Sequence, residues 1–381
     1  MRRRDLIVFS LIFLFCIIGT SEVVTYQLTG NHLFGNHTPS IFNDKEIACT
    51  DKPIKQRPST NDPQLKAVPE YEKVCKSAFI SDMMLFTDMP ISTPDAIAAA
   101  DKMAVRLKEF RAQAIRPIVI VEPDSEWGLV DFHEFATGYY DDWIKSYFER
   151  LKQDGITDDN LGLWIPFPEP QQPYWNNNGD PDDFALSINR YFKQLRASFA
   201  AGHAGILLDS QAGETDKAPQ LLAYTRLIDN SLVDVAGLQG FPWYPASPDS
   251  KQKPITSASE FAPASLLDQV ARSLDTKNVL LNIGTFRHKK ADDGGNIAVT
   301  TTDRQASLDS IVHEVTNLRS ESYSVTVNIF AQNKFDNKEG VDWSYWQPGR
   351  YQNSEQALLF THFVSDIRNS GSTISIFDSR K

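Results

Sequence analysis

Apolar runs of strand length alternate with amphipathic segments of helix length along most of this chain. The apolar runs predict strands buried on both faces, at 77–85, 117–121, 161–167, 205–208, 233–238, 279–283, 325–330 and 373–377. Segments with an apolar stripe at the helical period lie between them, at 93–107, 138–151, 180–195, 263–274, 302–318 and 357–368. Thr93 before Pro94 and Asp180 before Pro181 are typical helix starts, with proline at the first helical position.

Alternation of strand and helix over about 290 residues indicates a parallel sheet with crossover helices. A closed barrel accounts for the number of strands better than an open sheet does, and such barrels run to about 250 residues as one unit. No glycine-rich phosphate loop follows a predicted strand, so the usual reason to expect an open dinucleotide-binding sheet is absent. We therefore predict an α/β protein with a (β/α)₈ TIM barrel over residues 76–381.

The N-terminal residues predict export. Arg2–Arg4 precede an apolar run at 6–20, which fits a signal peptide ending near residue 21. The run is short for a membrane span, which needs about 20 residues, but the cleavage signal is weak and an uncleaved anchor is the alternative. Either interpretation places the remainder outside the cytoplasmic membrane, secreted or anchored. Residues 22–75 are polar and without sustained period, which predicts a tether or irregular extension.

Composition and charge narrow the range of partners. The 381 residues are 41% hydrophobic and 23% charged, which is ordinary for a globular protein, and the net charge of −11 argues against nucleic acid or an anionic membrane surface as partner. The 7 Trp, 12 Tyr and 23 Phe could line a sugar-binding cleft. In an exported protein, Cys49 and Cys75 are candidates for a disulfide. No metal-ligand spacing and no serine-nucleophile elbow occurs, and we expect no cofactor, no metal and a monomer.

Polar residues collect just after the predicted strands, where barrel enzymes carry their chemistry. The clearest case is Glu169, which follows the apolar run 161–167 and is held between Pro168 and Pro170. Glu122 and Asp209 end two other predicted strands. A carboxylate in this position, beside aromatic residues, suits an acid presented to a sugar, whereas the alternative is a rigid proline turn with a solvated Glu.

Several segments, in their order and spacing, resemble glycoside hydrolase family 26 of the retaining (β/α)₈ glycosidases. They are IVIVEP (118–123), GYYDDWIKSYFERLK (138–152), the Glu169 loop with PYW (173–175), DPDDFALSINRYFKQLR (180–196), VDVAGLQGFPW (233–243), and FAQNKFD (330–336) followed by VDW (341–343). The resemblance implies a barrel glycosidase with Glu169 as the acid/base.

The sequence also departs from that family at the catalytic positions. The family has His before its acid/base Glu, where this chain has Pro168, and Phe241 replaces its sixth-strand Tyr. The nucleophile, a Glu ending the family's seventh strand, matches Asn282 in LLNIGTF (280–286), and an amide cannot form a glycosyl-enzyme ester. The chain also shows one strand fewer than the family before Glu169, so the first strand is expected to be hidden or to lie in the tether.

Three functions follow from these observations. The first is an exported glycoside hydrolase acting on a β-linked polysaccharide of the mannan or glucan type. Glu169 would be the general acid, and Glu122, Asp124 or Asp209 would be an inverting base about 6.5–9.5 Å away. The second is a catalytically inactive barrel that binds polysaccharide or oligosaccharide in the same cleft, and the third is a structural envelope protein. In either of the first two, Asn282 is expected roughly 5–5.5 Å from Glu169. The expected substrate-binding residues are Trp175, Gln239, Trp243, Tyr244, Phe286, Gln332 and Trp346.

Overall fold

The structure is a computed structural model of the whole chain. It describes residues 57–74, 80–88, 92–122, 131–171, 179–209, 218–240, 262–284, 288–290, 296–298, 300–331 and 354–378. The signal or anchor at 1–21, most of the predicted tether, and both Cys49 and Cys75 lie outside these residues, so these expectations stay predictions. None of the described helices is long and apolar enough to cross a bilayer.

Strands and helices alternate through the described residues as the hydrophobic pattern predicts. The strands are β1 Asp82–Asp88, β2 Arg116–Glu122, β3 Leu163–Pro166, β4 His203–Asp209, β5 Val235–Gly240, β6 Asn278–Ile283, β7 His288–Lys290, β8 Asn296–Ala298, β9 Ser324–Ala331 and β10 Thr373–Asp378. The helices are α1 Pro63–Val74, α2 Thr93–Ala112, α3 Phe132–Thr137, α4 Asp141–Gln153, α5 Asp158–Leu161, α6 Pro181–Ser198, α7 Ala218–Ala223, α8 Pro263–Ser273, α9 Thr301–Ser320 and α10 Ser354–Asn369, with a 3₁₀ turn at Asn230–Leu232.

Eight of the strands close into one parallel barrel, in the order β1, β2, β3, β4, β5, β6, β9, β10. The first and last strands meet through Asp82 and Ser375, and every neighbouring pair runs parallel. The short strands β7 and β8 form a separate antiparallel pair between β6 and α9. The predicted (β/α)₈ barrel is therefore confirmed.

The strands are apolar on both faces because two cores use them. In β2, Ile118 and Ile120 face the barrel interior, while Val119 and Val121 pack towards the surrounding helices. The interior cluster is small, and its buried members are Met84, Ile118, Ile120, Leu163, Ile165, Leu207, Leu280 and Phe377. Burial on both faces explains why these strands appear in the sequence as continuous apolar runs.

Both predicted helix starts are present, although the cap of the first is Ser92 and not Thr93, which is already helical. Ser92 caps α2 by accepting a hydrogen bond from the amide of Asp95, with Pro94 in the first turn. Asp180 caps α6 by accepting from the amides of Asp182 and Asp183, and Pro181 follows it. Since these helices pack against the barrel, their caps fix where each preceding loop must end.

The segment 57–74 differs from the irregular extension that we expected. Pro63–Val74 is a helix, and Leu65, Val68 and Tyr71 on it are buried in the main core. The ring of Tyr71 lies 6.3 Å from that of Phe360 on α10. The expectation fails here because the apolar stripe is short and is interrupted by Pro69 and polar residues, so the sequence alone does not indicate a helix. Packing against the barrel stabilises the helix. The other predicted domain boundaries stay predictions.

Candidate functional site

The loop after β3 is held in a strained backbone conformation. Phe167 and Glu169 both have left-handed φ angles, of 53° and 52°, which side chains of this size rarely adopt. The amide of Phe167 donates to the carbonyl of Val121 on β2 (3.1 Å), and that of Glu169 donates to the carbonyl of Leu207 on β4 (2.8 Å). The loop is therefore tied to both neighbouring strands, which fixes where the Glu169 side chain begins.

Aromatic packing offsets the strain at Phe167. Its side chain is fully buried, and its ring lies 5.6 Å from Phe132, 4.7 Å from Phe135 and 5.7 Å from Tyr191, each time edge to face. Edge-to-face pairs contribute about 0.5–1.5 kcal/mol each beyond their burial. The left-handed conformation costs about 1–2 kcal/mol per residue, so this packing can hold the loop in place.

The carboxylate of Glu169 is the end of a chain of three side-chain amides. Gln239 Nε2 donates to Glu169 Oε1, Asn282 Nδ2 donates to Gln239 Oε1 (2.6 Å), and Asn328 Nδ2 donates to Asn282 Oδ1 (2.7 Å). The three amides sit on neighbouring strands, where Gln239, Asn282 and Asn328 are register partners. Asn282 and Asn328 are completely buried, whereas Glu169 and Gln239 are half-buried.

Two further carboxylates end the strands on either side of β3. Glu122 is the last residue of β2 and half-buried, and Asp209 is the last residue of β4 and buried. Gln171, in the Glu169 loop, donates its side-chain amide to the backbone carbonyl of Asp209. Glu122, Glu169 and Asp209 thus occupy the carboxyl ends of three adjacent strands, the end at which barrel enzymes place their active sites.

Asn282 lies at the same end of the barrel as Glu169, but not as an open position facing it. The amide of Gln239 lies between the two side chains and is hydrogen-bonded to both. Gln239 was expected to contact substrate; the structure gives it this bridging position, and contact with substrate stays a prediction. The separation of roughly 5–5.5 Å between Glu169 and Asn282 stays a prediction.

The position of these residues around the barrel differs from the family resemblance. Glu169 follows the third barrel strand, and Asn282 is on the sixth, whereas the resemblance matches Asn282 to the seventh. The barrel is already closed by β10 beside β1, so no hidden strand is needed before Glu169. The expectation of an additional first strand is therefore wrong, and each matched segment lies one strand earlier than the family pattern requires.

The remaining predicted site residues belong to other parts of the sequence. Outside the described residues lie Asp124, Trp175, Trp243, Tyr244, Phe286, Gln332 and Trp346. Within the described part of the chain, no three His, Cys, Asp or Glu side chains come together in a way that could hold a metal ion.

Sequence reasoning missed Asn328 and Gln171. Asn328 had a recognisable signal, because it is an amide inside the apolar strand SVTVNIFA, as Asn282 is inside NVLLNI and Gln239 inside VAGLQG. An amide in an interior position of a buried strand needs a polar partner, and neighbouring strands can supply one. Gln171 carries no such signal, since it lies in a polar loop.

Two cavities among the described residues lie away from Glu169. One of about 150 Å³ opens at the amino ends of the strands and is lined by side chains that include Arg116, His203 and Asp234. In a barrel that end serves stability, not catalysis. The other, of about 10 Å³, lies beside Trp143 and Tyr147, whose indole nitrogen and hydroxyl are buried without a protein partner. Burial raises the pKa of the Tyr147 hydroxyl, which therefore stays protonated.

Comparisons with known proteins identify the fold class. No protein-family model and no curated protein matches this sequence. Among solved structures, a β-glucosidase from Thermotoga maritima in complex with azafagomine is similar at 11% identity and a TM-score of 0.50, with 81% of this chain and 86% of that chain covered. A family 1 β-glucosidase from the same organism gives 10% identity and a TM-score of 0.49 over the same shares. At such identity the likeness shows the fold alone, a (β/α)₈ barrel of the kind that β-glucosidases have.

Proposed function

We propose that this protein is an exported glycoside hydrolase acting on a β-linked polysaccharide of the mannan or glucan type. Glu169 would be one of its two catalytic carboxyls, and Asp209 the second. The fold likeness to the β-glucosidase in complex with azafagomine supports this proposal at the level of the barrel. The N-terminal signal supports export.

The observation that carries the proposal is the way Glu169 is held. Its backbone is left-handed and tied to β4, and its carboxylate accepts a hydrogen bond from Gln239 at the mouth of the barrel. Strained backbone that the surrounding structure overdetermines is typical of functional sites. A solvated Glu in a proline turn needs no such restraint, so this alternative is less well supported.

Asp209 is the preferred second carboxyl because it is buried on the strand next to Glu169 and its backbone is bound to the same loop through Gln171. Glu122, on the opposite side, is the alternative. The seventh-strand glutamate of family 26 has Asn282 as its counterpart by sequence, and Asn282 lies on the sixth strand here. An amide cannot form a glycosyl ester, so we expect hydrolysis with inversion and a carboxyl separation of about 6.5–9.5 Å.

The strand positions also limit what the family 26 resemblance contributes. Because Glu169 follows the third barrel strand, roles carried over by strand number do not apply to it. We propose membership of the wider group of barrel glycosidases and not of family 26 as such.

One observation favours a second function, a catalytically inactive barrel that binds glycan. The amide of Gln239 occupies one oxygen of Glu169, and an amide stands at the position matched to the nucleophile. Such a site could bind sugar hydroxyls through its amides and cleave nothing.

The experiment is hydrolysis of β-linked mannans and glucans by the full chain, followed as release of reducing ends, with the anomer formed first identified by proton NMR. Glu169→Gln is expected to lower the rate by at least about 10²-fold and leave glycan binding nearly unchanged. Glu149→Gln, on the exposed face of α4, is the matched control and should have no effect.

Binding without cleavage by the native protein would favour the second function. Neither binding nor cleavage on any β-linked glycan would reject both. A covalent glycosyl-enzyme on the native protein would show that the nucleophile has been misplaced.

A further inference from the structure

The three amides that lead to Glu169 all point the same way. Each donates its N–H towards Glu169, and Gln239 and Asn282 also accept, through their oxygens, the N–H of the next amide along. We refer to Gln239, Asn282 and Asn328 as the amide chain. Its members are 43 and 46 residues apart in sequence, so only the register of β5, β6 and β9 brings them together.

The direction of the amide chain has a chemical cause. An ionised carboxylate can only accept hydrogen bonds, so Gln239 must turn its NH₂ group to Glu169 and its oxygen away. That oxygen needs a donor, which fixes the orientation of Asn282, and the same argument then fixes Asn328. A protonated Glu169 that donated to Gln239 would require all three amides to turn round, and one that still accepted through Oε1 would offer the Gln239 amide only a neutral acceptor, to which hydrogen bonds are weaker than to a carboxylate.

The far end of the chain fits this direction. Asn328 Oδ1 is buried and has no hydrogen-bond partner, while Asn328 Nδ2 donates to Asn282 and lies 3.4 Å from Met84 Sδ. If only Asn328 were turned round, its oxygen would face the oxygen of Asn282, which cannot donate a hydrogen bond. The unpartnered oxygen is therefore left at the end opposite the carboxylate, as expected if Glu169 sets the direction.

Carboxyls at neighbouring strand ends compete with Glu169 for the ionised state. Glu122 on β2 and Asp209 on β4 flank Glu169, Asp88 ends β1, and like charges favour protonation of a carboxyl. At the interior positions of β5, β6 and β9 near Glu169, the described side chains are the neutral amides themselves. Hydrogen bonds donated along a chain strengthen one another, by about 10–30% per bond, and a bond to a charged acceptor is the strongest kind.

We propose that the amide chain holds Glu169 as an ionised carboxylate in one orientation, and that Asn328 acts as a positioning residue for Glu169 through Asn282 and Gln239. Glu169 is then the proton acceptor of the pair, not the acid that the sequence suggested. That catalytic role rests on the proposed hydrolysis, whereas the ionised state and the coupling along the chain do not.

The reaction balances with these roles. Glu169 takes a proton from a water molecule as the water oxygen bonds to the anomeric carbon. The glycosidic C–O bond breaks, and the leaving oxygen takes a proton from a protonated second carboxyl, Asp209 or Glu122. Glu169 then returns its proton to solvent and the second carboxyl is protonated from solvent, which restores both groups.

The test is NMR of the full chain with labelled Glu carboxyls and labelled side-chain amides. Glu169 is assigned by the signal lost in Glu169→Gln, and Gln239 by the signal lost in Gln239→Leu. In the native protein at pH 7, the Glu169 carboxyl should show the shift of an ionised group, and the bonded Gln239 amide proton should lie downfield of ordinary Gln side chains. A Glu169 signal typical of a protonated acid would overturn the proposal without any variant.

Asn328→Leu tests the coupling. It removes the last donor, and the downfield displacement of the Gln239 proton should shrink by about 10–30% although the two residues do not touch. Ser375→Ala is the matched control, because Ser375 is the register partner of Asn328 on β10, is buried, and has a hydroxyl without a partner. An unchanged Gln239 signal in Asn328→Leu, or an equal change in Ser375→Ala, would show that Asn328 is merely structural.

The outcomes separate this inference from the proposed function. If the native protein cleaves no glycan but shows the NMR signatures, the inference about the amide chain stands and the proposed hydrolase function is rejected. If the native protein cleaves glycan but Glu169 is protonated at rest, the hydrolase function stands and the amide chain does not determine the charge of Glu169.

Discussion

Gly162 gives the sharpest test of how the fold positions Glu169. It lies between α5 and β3, with φ 77° and ψ −156°, a conformation that is essentially restricted to glycine. A Cβ added there would lie 2.2 Å from the carbonyl oxygen of Pro117 and 2.6 Å from its Cγ. Because the first of these atoms is backbone of β2, Gly162→Ala must push β3 and β2 apart where Ile118 pairs with Leu163.

The size of the effect follows from two contributions. Forcing a side chain into this backbone conformation costs about 1–3 kcal/mol, and overpacking of a buried contact costs about another 1–3 kcal/mol. We therefore expect Gly162→Ala to lower the free energy of unfolding by about 2–6 kcal/mol, a large part of the roughly 5–15 kcal/mol of an ordinary domain. Any displacement of β3 also moves Glu169, and a misplacement of about 1 Å can cost about 10²-fold in rate.

Equilibrium unfolding in urea, followed by tryptophan fluorescence, to which the buried Trp164 on β3 contributes, measures this loss as a lower midpoint at unchanged slope. Gly155→Ala is the control, because Gly155 also has a positive φ of 83° but no atom lies within 4 Å of the added Cβ. It should lose only about 1–2 kcal/mol. Equal losses in the two variants would refute the argument that the contact with Pro117 restrains β3.

Two further predictions concern stability. Arg57→Met should cost about 3–5 kcal/mol in urea unfolding, because Arg57 binds Glu72 through both carboxylate oxygens (2.5 and 3.1 Å) and the Glu72 side chain is fully buried. The exposed pair of Arg226 and Asp182 is the control, and Arg226→Met should cost less than about 1 kcal/mol. Burial raises the pKa of Glu314, and the hydrogen bond from the Ala264 amide opposes this rise. The contribution of Glu314 to the free energy of unfolding is therefore greatest at low pH and is lost as pH rises through the folded-state pKa. Glu314→Gln should therefore gain stability relative to the native protein as pH rises towards 7, and a constant difference from pH 4 to 7 in melting experiments would contradict this assignment.

The hydrophobic pattern by itself determined the architecture of this protein. Runs such as PIVIV in β2 and GILL in β4 are apolar at every position because a barrel buries both faces of its strands, and this requirement is visible locally. The helix starts near Pro94 and at Asp180 were equally predictable, since capping depends on residues three or four positions apart, although the first cap is Ser92 and not the expected Thr93. The carboxylates Glu122, Glu169 and Asp209 were predictable at strand ends because each ends or directly follows an apolar run that marks a strand.

The tertiary structure alone decided which of these groups meet. Barrel closure pairs β1 with β10, whose paired residues Asp82 and Ser375 lie far apart in the sequence, and this closure is what makes Glu169 follow the third strand. The amide chain depends on the register of three strands, and a shift of one residue in any of them would turn its amide out of the barrel interior. Helix α1 forms because Leu65, Val68 and Tyr71 find a core to pack against. Local sequence specifies local conformation and burial, whereas contacts between distant strands arise only when the barrel closes.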